Sequence, residues 1–131
     1  MYALDTNTVL DYFRGRGAVA ENLLGVAPSE VALPAVVVYE VWIGVLASQN
    51  AKRRQSQYER FLATVEVLAF DADVGRRAAE LRFALERRGE RIGPLDTLIA
   101  ATALAHHATL VTRNVREFSR IQGLKVIDWH E

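Results

Sequence analysis

Three acidic side chains stand where folding alone would not place them. Asp5 follows Tyr2-Ala3-Leu4, Glu40 lies within Val36-Val37-Val38-Tyr39-Glu40-Val41-Trp42-Ile43, and Asp96 heads Leu95-Asp96-Thr97-Leu98-Ile99-Ala100-Ala101. If a fold brings them together, they make an oxygen-rich pocket that repels itself unless a divalent cation occupies it, so they point to a metal site. Each also has an ordinary explanation. Asp5 could cap a helix, a role worth about 1 kcal/mol, and Asp96 could complement the dipole of a first helical turn. Glu40 is harder to explain, because an ionised carboxylate buried without a partner is costly. Its partner would be an arginine, or a cation shared with Asp5 and Asp96.

The elements that must position these acids can be read from periodicity and punctuation. Tyr2-Ala3-Leu4 reads as a short buried strand, followed by capping residues and a helix that ends at Gly15 or Gly17. A short helix over Ala18 to Leu24, a turn at Pro28-Ser29-Glu30 and a strand over Val31-Ala32-Leu33 come next. Pro34 starts a buried helix reaching Ala47, and an amphipathic helix spans Lys52 to Val65, leading into a strand up to Phe70. Asp71 caps a helix over Val74 to Arg88, and Leu95 to Ala108 is apolar almost all round, as a core helix would be. Strands over Thr109 to Thr112 and Leu124 to Ile127 complete the pattern. Short strands alternating with helices imply right-handed crossovers and a mainly parallel sheet with helices on both faces. Reactive groups in that α/β architecture gather beyond the carboxyl ends of the strands.

The chain of 131 residues fits one domain spanning 1–131. Its composition is that of a soluble globular protein, with 50% apolar and 24% charged residues and a formal net charge of zero. The lack of cysteine excludes disulfides, thiolate metal sites and a cysteine nucleophile. No signal-like segment follows Met1, and the Val31 to Leu46 stretch is broken by Pro34, Glu40 and Gly44. It falls short of the roughly 20 apolar residues a spanning helix needs, so a cytoplasmic location is expected. Lys52 and Lys125 are the only lysines, so nearly all positive charge is arginine, as coding bias or phosphate recognition would give. An acidic centre within a basic rim would suit a metal-dependent enzyme acting on a polyanion.

Asp5-Thr6-Asn7, Glu40, Pro94-Leu95-Asp96-Thr97-Leu98-Ile99-Ala100-Ala101 and Leu110-Val111-Thr112-Arg113-Asn114-Val115-Arg116-Glu117-Phe118, continued by Gly123-Leu124 and Asp128-Trp129, resemble the VapC toxin family of PIN-domain ribonucleases. The resemblance runs the length of the chain. It implies an α/β sandwich in three layers, Mg2+ or Mn2+ in an acidic pocket, and endonucleolytic cleavage of RNA. By position, Asp5, Glu40 and Asp96 match the family's metal-binding acids. The fourth acidic position departs from the pattern: Asn114 stands where some relatives have aspartate, and Glu117 is the nearest carboxylate. Glu117 is expected to complete the catalytic and metal site, with Thr6, Asn7, Thr112, Arg113 and Asn114 as polar support for water or phosphate. The resemblance also implies a small VapB-like antitoxin covering the cleft, a homodimer, and an RNA target with transfer RNA as first choice.

Other chemistries have less support. His106-His107 reads as a pair at a helix C-terminus, and His130 as part of a tail. No Gly-x-Ser-x-Gly elbow or phosphate-cradling glycine loop is present. An aspartyl phosphatase would want an acid where Asn7 stands. The second reading is a degenerate PIN-like module that binds RNA or a partner without cutting, kept open by Asn114.

Overall fold

The computed structural model describes residues 1–131. Five strands, β1 (Tyr2–Leu4), β2 (Val31–Pro34), β3 (Glu66–Leu68), β4 (Thr109–Val111) and β5 (Val126–Ile127), form one sheet in the order β3-β2-β1-β4-β5. Every pairing is parallel, so the sheet is wholly rather than mainly parallel. β1, β2 and β4 are almost entirely buried, which is why they read as short apolar runs without alternation.

The connecting helices are α1 (Thr6–Arg14), α2 (Val19–Leu24), α3 (Ala35–Leu46), α4 (Ala51–Leu62), α5 (Ala72–Arg87), α6 (Pro94–Ala105) and α7 (Val115–Phe118). The chain steps from β1 to β2 to β3, then returns past β1 to β4, so right-handed crossovers place α1 to α4 on one face and α5 and α6 on the other. The packing agrees: α1 lies on α3 and α3 on α4, whereas α5 lies along α6. The main core cluster is centred on Ala3, Leu4, Leu33, Leu110 and Val111 and sealed by Tyr58 and Phe118, and a small second cluster of Val74, Ala78 and Ala101 joins α5 to α6. Reversal of strand order between β1 and β4 creates a crevice at their carboxyl ends, where α/β sheets place ligands.

Several expected boundaries shift. The third strand occupies only Glu66–Leu68, because Ala69 and Phe70 are exposed beyond the pairing edge of β2. α6 stops at Ala105 rather than Ala108: His107 takes a left-handed φ of 56°, and the Ala108 N–H returns to the Ala103 carbonyl at 2.9 Å. α7 was not expected, since its four residues are too few to show a period. His130 is no loose tail; its side chain is 6% exposed and hydrogen-bonded at both ring nitrogens. Trp129 beside it is buried against Tyr2, with ring centroids 5.1 Å apart.

Candidate active site

Asp5 is the first residue past β1 and the N-cap of α1. Its Oδ1 accepts the Thr8 N–H at 2.9 Å, and its Oδ2 accepts the Thr112 hydroxyl at 2.6 Å. Thr112 occupies the matching place past β4, fully buried, and its hydroxyl in turn accepts the Asn114 N–H at 3.0 Å. The Asp5 N–H and the Thr8 hydroxyl both donate to the Val111 carbonyl, at 3.1 and 3.2 Å. These bonds follow from the parallel register that sets Leu4 beside Val111. Capping and lining the cleft are therefore not alternatives for Asp5, which does both.

Glu40 projects from α3, and its Oε1 accepts the Thr6 hydroxyl at 2.7 Å. It is half-buried rather than sealed in the core, and its hydrogen-bond partner is this hydroxyl rather than an arginine. Asp96 sits in the first turn of α6, where the start of the helix follows Gly93-Pro94. Its carboxyl is pushed up to about 6, first by burial and then by the charges of Glu117, Asp5 and Glu40. Glu117, Asp5 and Glu40 are the charges that bear on it, although the acids do not draw together into a group of three. Asp5 is raised as well, because burial outweighs the hydrogen bonds from Thr112 and Thr8.

Glu117 belongs to α7, and its Oε2 accepts from the Asn114 side-chain amide at 2.6 Å. No group of three or more His, Asp or Glu side chains closes around one point as a complete ion cage. The arrangement fits Mg2+ better than a metal that demands an all-protein shell, because Mg2+ keeps several waters and uses only one or two carboxylates.

Beside Asp5 a polar cleft of about 520 Å³ opens. Asn7, Asp11 and Arg14 line it from α1, with Arg16 just beyond the helix and Arg113 and Asn114 from the loop after β4. Asn7 and Arg113 are exposed there, whereas Thr6 is turned to Glu40 instead. Asp11, Arg14, Arg16 and His130 escaped the sequence reading as site neighbours. A signal existed for two of them: Asp11 and Arg14 continue from Asn7 at four- and three-residue spacing, a polar stripe on an otherwise apolar helix. His130 gave no such signal, since its partner Asp11 lies far away in sequence.

The PIN domain family profile matches residues 2–124. Among known proteins, Ribonuclease VapC2 of Rickettsia felis is 34% identical over 137 aligned positions, covering 98% of each chain. The tRNA(fMet)-specific endonuclease VapC of Shigella flexneri is 30% identical over 128 positions, covering 98% of this chain and 97% of the relative. Among solved structures, VapBC2 of Rickettsia felis bound to a promoter DNA fragment superposes with a TM-score of 0.89 at 35% identity, covering 98% of both chains. Acids at the carboxyl edge of a parallel sheet, a profile match over nearly the whole chain and full-length relatives agree: the protein belongs to the PIN-domain family, in its VapC branch.

Proposed function

We propose that this chain is an Mg2+- or Mn2+-dependent endoribonuclease acting as the toxin of a toxin-antitoxin pair. The observation that carries the reading is Asp5 at the carboxyl edge of β1, held by the Thr8 N–H and the Thr112 hydroxyl beside a polar cleft, with Glu40, Asp96 and Glu117 on α3, α6 and α7. Asp5, Glu40, Asp96 and Glu117 would supply the oxygens around the ion, one or two of them directly and the rest through its waters. A bound divalent cation supplies charge neutralisation, polarises a phosphoryl oxygen and eases ionisation of water at neutral pH. The chain's own residues provide the orientation. Thr112 and the Thr8 N–H fix both oxygens of Asp5, Thr6 fixes one oxygen of Glu40, and the first turn of α6 fixes Asp96. No side chain is positioned as a covalent nucleophile, so direct attack by water on the phosphodiester is the hydrolysis these groups can support.

The names of the relatives direct the substrate and partner. The Shigella flexneri relative is called specific for tRNA(fMet), so transfer RNA is the substrate to test first. The Rickettsia felis structure is a VapBC assembly, supporting a small antitoxin that covers the cleft in the cytoplasm. A homodimer would need exposed apolar surface, and α3 exposes Tyr39, Ile43 and Leu46 at helical spacing.

Purified protein incubated with tRNA and Mn2+ should give discrete cuts that disappear on adding chelator. Intact RNA across a broad panel would reject the nuclease. A second reading, binding without cutting, draws on the Asn114–Glu117 hydrogen bond and the open acid cluster. Calorimetry separates the two, since a working site takes up Mn2+ and a degenerate one does not.

A further inference from the structure

The residues after β5 turn back onto α1. Asp128 Oδ1 accepts from the His130 N–H at 2.7 Å and stands 3.0 Å from His130 Nδ1. The other ring nitrogen, Nε2, lies 2.9 Å from Asp11 Oδ2. The imidazole thus bridges the carboxylates of Asp128 and Asp11, tying the residues after β5 to α1. The backbone joins in: the His130 carbonyl accepts the Ala18 N–H at 3.1 Å, and the Trp129 carbonyl accepts the Asn22 amide at 2.9 Å. Gly17 has a φ of +62°, and a Cβ there would stand 2.8 Å from the His130 carbonyl oxygen. The turn from Gly15 to Gly17 is thus held from outside by the C-terminal residues.

That turn and the last residue of α1 supply two of the three arginines of the cleft, Arg16 and Arg14, the third being Arg113 after β4. Arg14 stands 3.8 Å from Asp11 Oδ1, and the Arg16 N–H donates to the Asp11 carbonyl at 2.9 Å. Both guanidinium groups line the cleft that also contains Asp5, and no apolar side chain lines it. Asp11 is engaged by Arg14 and by the His130 ring, on the two sides of its carboxylate. A planar guanidinium recognises phosphate through paired hydrogen bonds.

We propose that Arg14 and Arg16 form a seat for an RNA phosphate adjoining the acid centre, and that His130, acting through Asp11 and the Gly17 turn, is the positioning residue for that seat. The inference rests on the ribonuclease reading, because Asp5 in the same cleft makes a nucleic-acid strand, rather than an acidic peptide, the occupant that needs both halves.

The test is binding of a fluorescent single-stranded RNA oligonucleotide to the full chain in EDTA, across a salt series. For a single strand, removing one arginine–phosphate pairing flattens the plot of log affinity against log salt by about 0.7. Arg14→Ala and Arg16→Ala should each flatten it by about that amount and weaken binding about fivefold at low salt, with Arg14→Lys recovering the slope. His130→Ala should weaken binding about threefold with partial flattening, and His130→Gln, which can serve only one carboxylate, should fall between it and the parent. If His130→Ala unfolds, the milder His130→Gln carries the test and should still give a partial flattening. Unchanged slopes in both arginine variants overturn the seat. Parental binding by folded His130→Ala, or by His130→Gln where the alanine variant unfolds, overturns the positioning role. Cleavage assays with Mn2+ run beside these, where the arginine effect should fall on KM more than on kcat. A parent that binds RNA but never cuts would count against the nuclease and leave the slopes to judge the seat.

Discussion

The two walls of the acid centre are built differently. On the β1–β4 wall, Asp5 is 6% exposed and Thr112 fully buried, each set by strand register, a helix cap and a chain of hydrogen bonds. On the α7 wall, Glu117 rides a four-residue helix and is tied only to the exposed Asn114. Rigid elements hold a charge in place before any ligand arrives, whereas a short surface helix leaves its carboxylate adjustable. The first wall is therefore preorganised, and the second is suited to completing the site once substrate is present.

Substitutions can break or sharpen that contrast. Asp5→Asn should lower kcat/KM for RNA cleavage roughly a thousandfold, the scale of losing a main electrostatic contributor. The fold should survive, because asparagine caps helices as well as aspartate does, and circular dichroism would check this. Thr112→Val removes a hydroxyl bonded to both Asp5 and the Asn114 N–H. It should cost about ten- to a hundredfold in activity and about 1–3 kcal/mol in urea unfolding, as an outer-sphere buried partner does.

Asp96 tests the shared charge rather than either wall. Its carboxyl lies near 6, above its ordinary value of 3.8, so the folded state favours the protonated form. The corresponding stability is present below the ordinary value and is lost as pH rises through the folded value. With screening of a partly exposed group, Asp96→Asn should gain about 1 kcal/mol in urea unfolding at neutral pH, a gain that vanishes toward pH 4. A loss at neutral pH would mean that burial and the neighbouring acids do not disfavour the Asp96 charge. The smallest effect is expected for Glu117→Gln, about three- to tenfold on kcat/KM, since glutamine keeps the link to Asn114. If its loss equalled that of Asp5→Asn, the walls would be equally essential and the contrast would fail.

The β1 and β4 strands were legible because buried parallel strands are short apolar runs bounded by caps and breakers. The Asp5 cap was legible for the same reason, and Pro34 and Gly93-Pro94 announced the starts of α3 and α6. α7 was not legible, because four residues carry no periodicity and its place is set by Phe118 entering the core. Glu40 looked like a buried charge from its neighbours in sequence, yet α3 turns it toward Thr6 at the helix edge. An apolar run gives no direction to the one polar residue within it until the helix is docked.

The alternation of strands and helices, the parallel α/β class and the elements that carry Asp5, Glu40 and Asp96 are all written in the linear chain. Those follow from interactions a few residues long: caps, breakers and period. Only the tertiary structure decided that Thr112 grips Asp5, that Asn114 and Glu117 hold each other, and that His130 reaches Asp11. These contacts join positions remote in sequence, apart from Asn114 and Glu117, and depend on strand register and on where α7 and the C-terminal residues come to rest. Local propensity encodes neither, because both are set by the packing of the whole core.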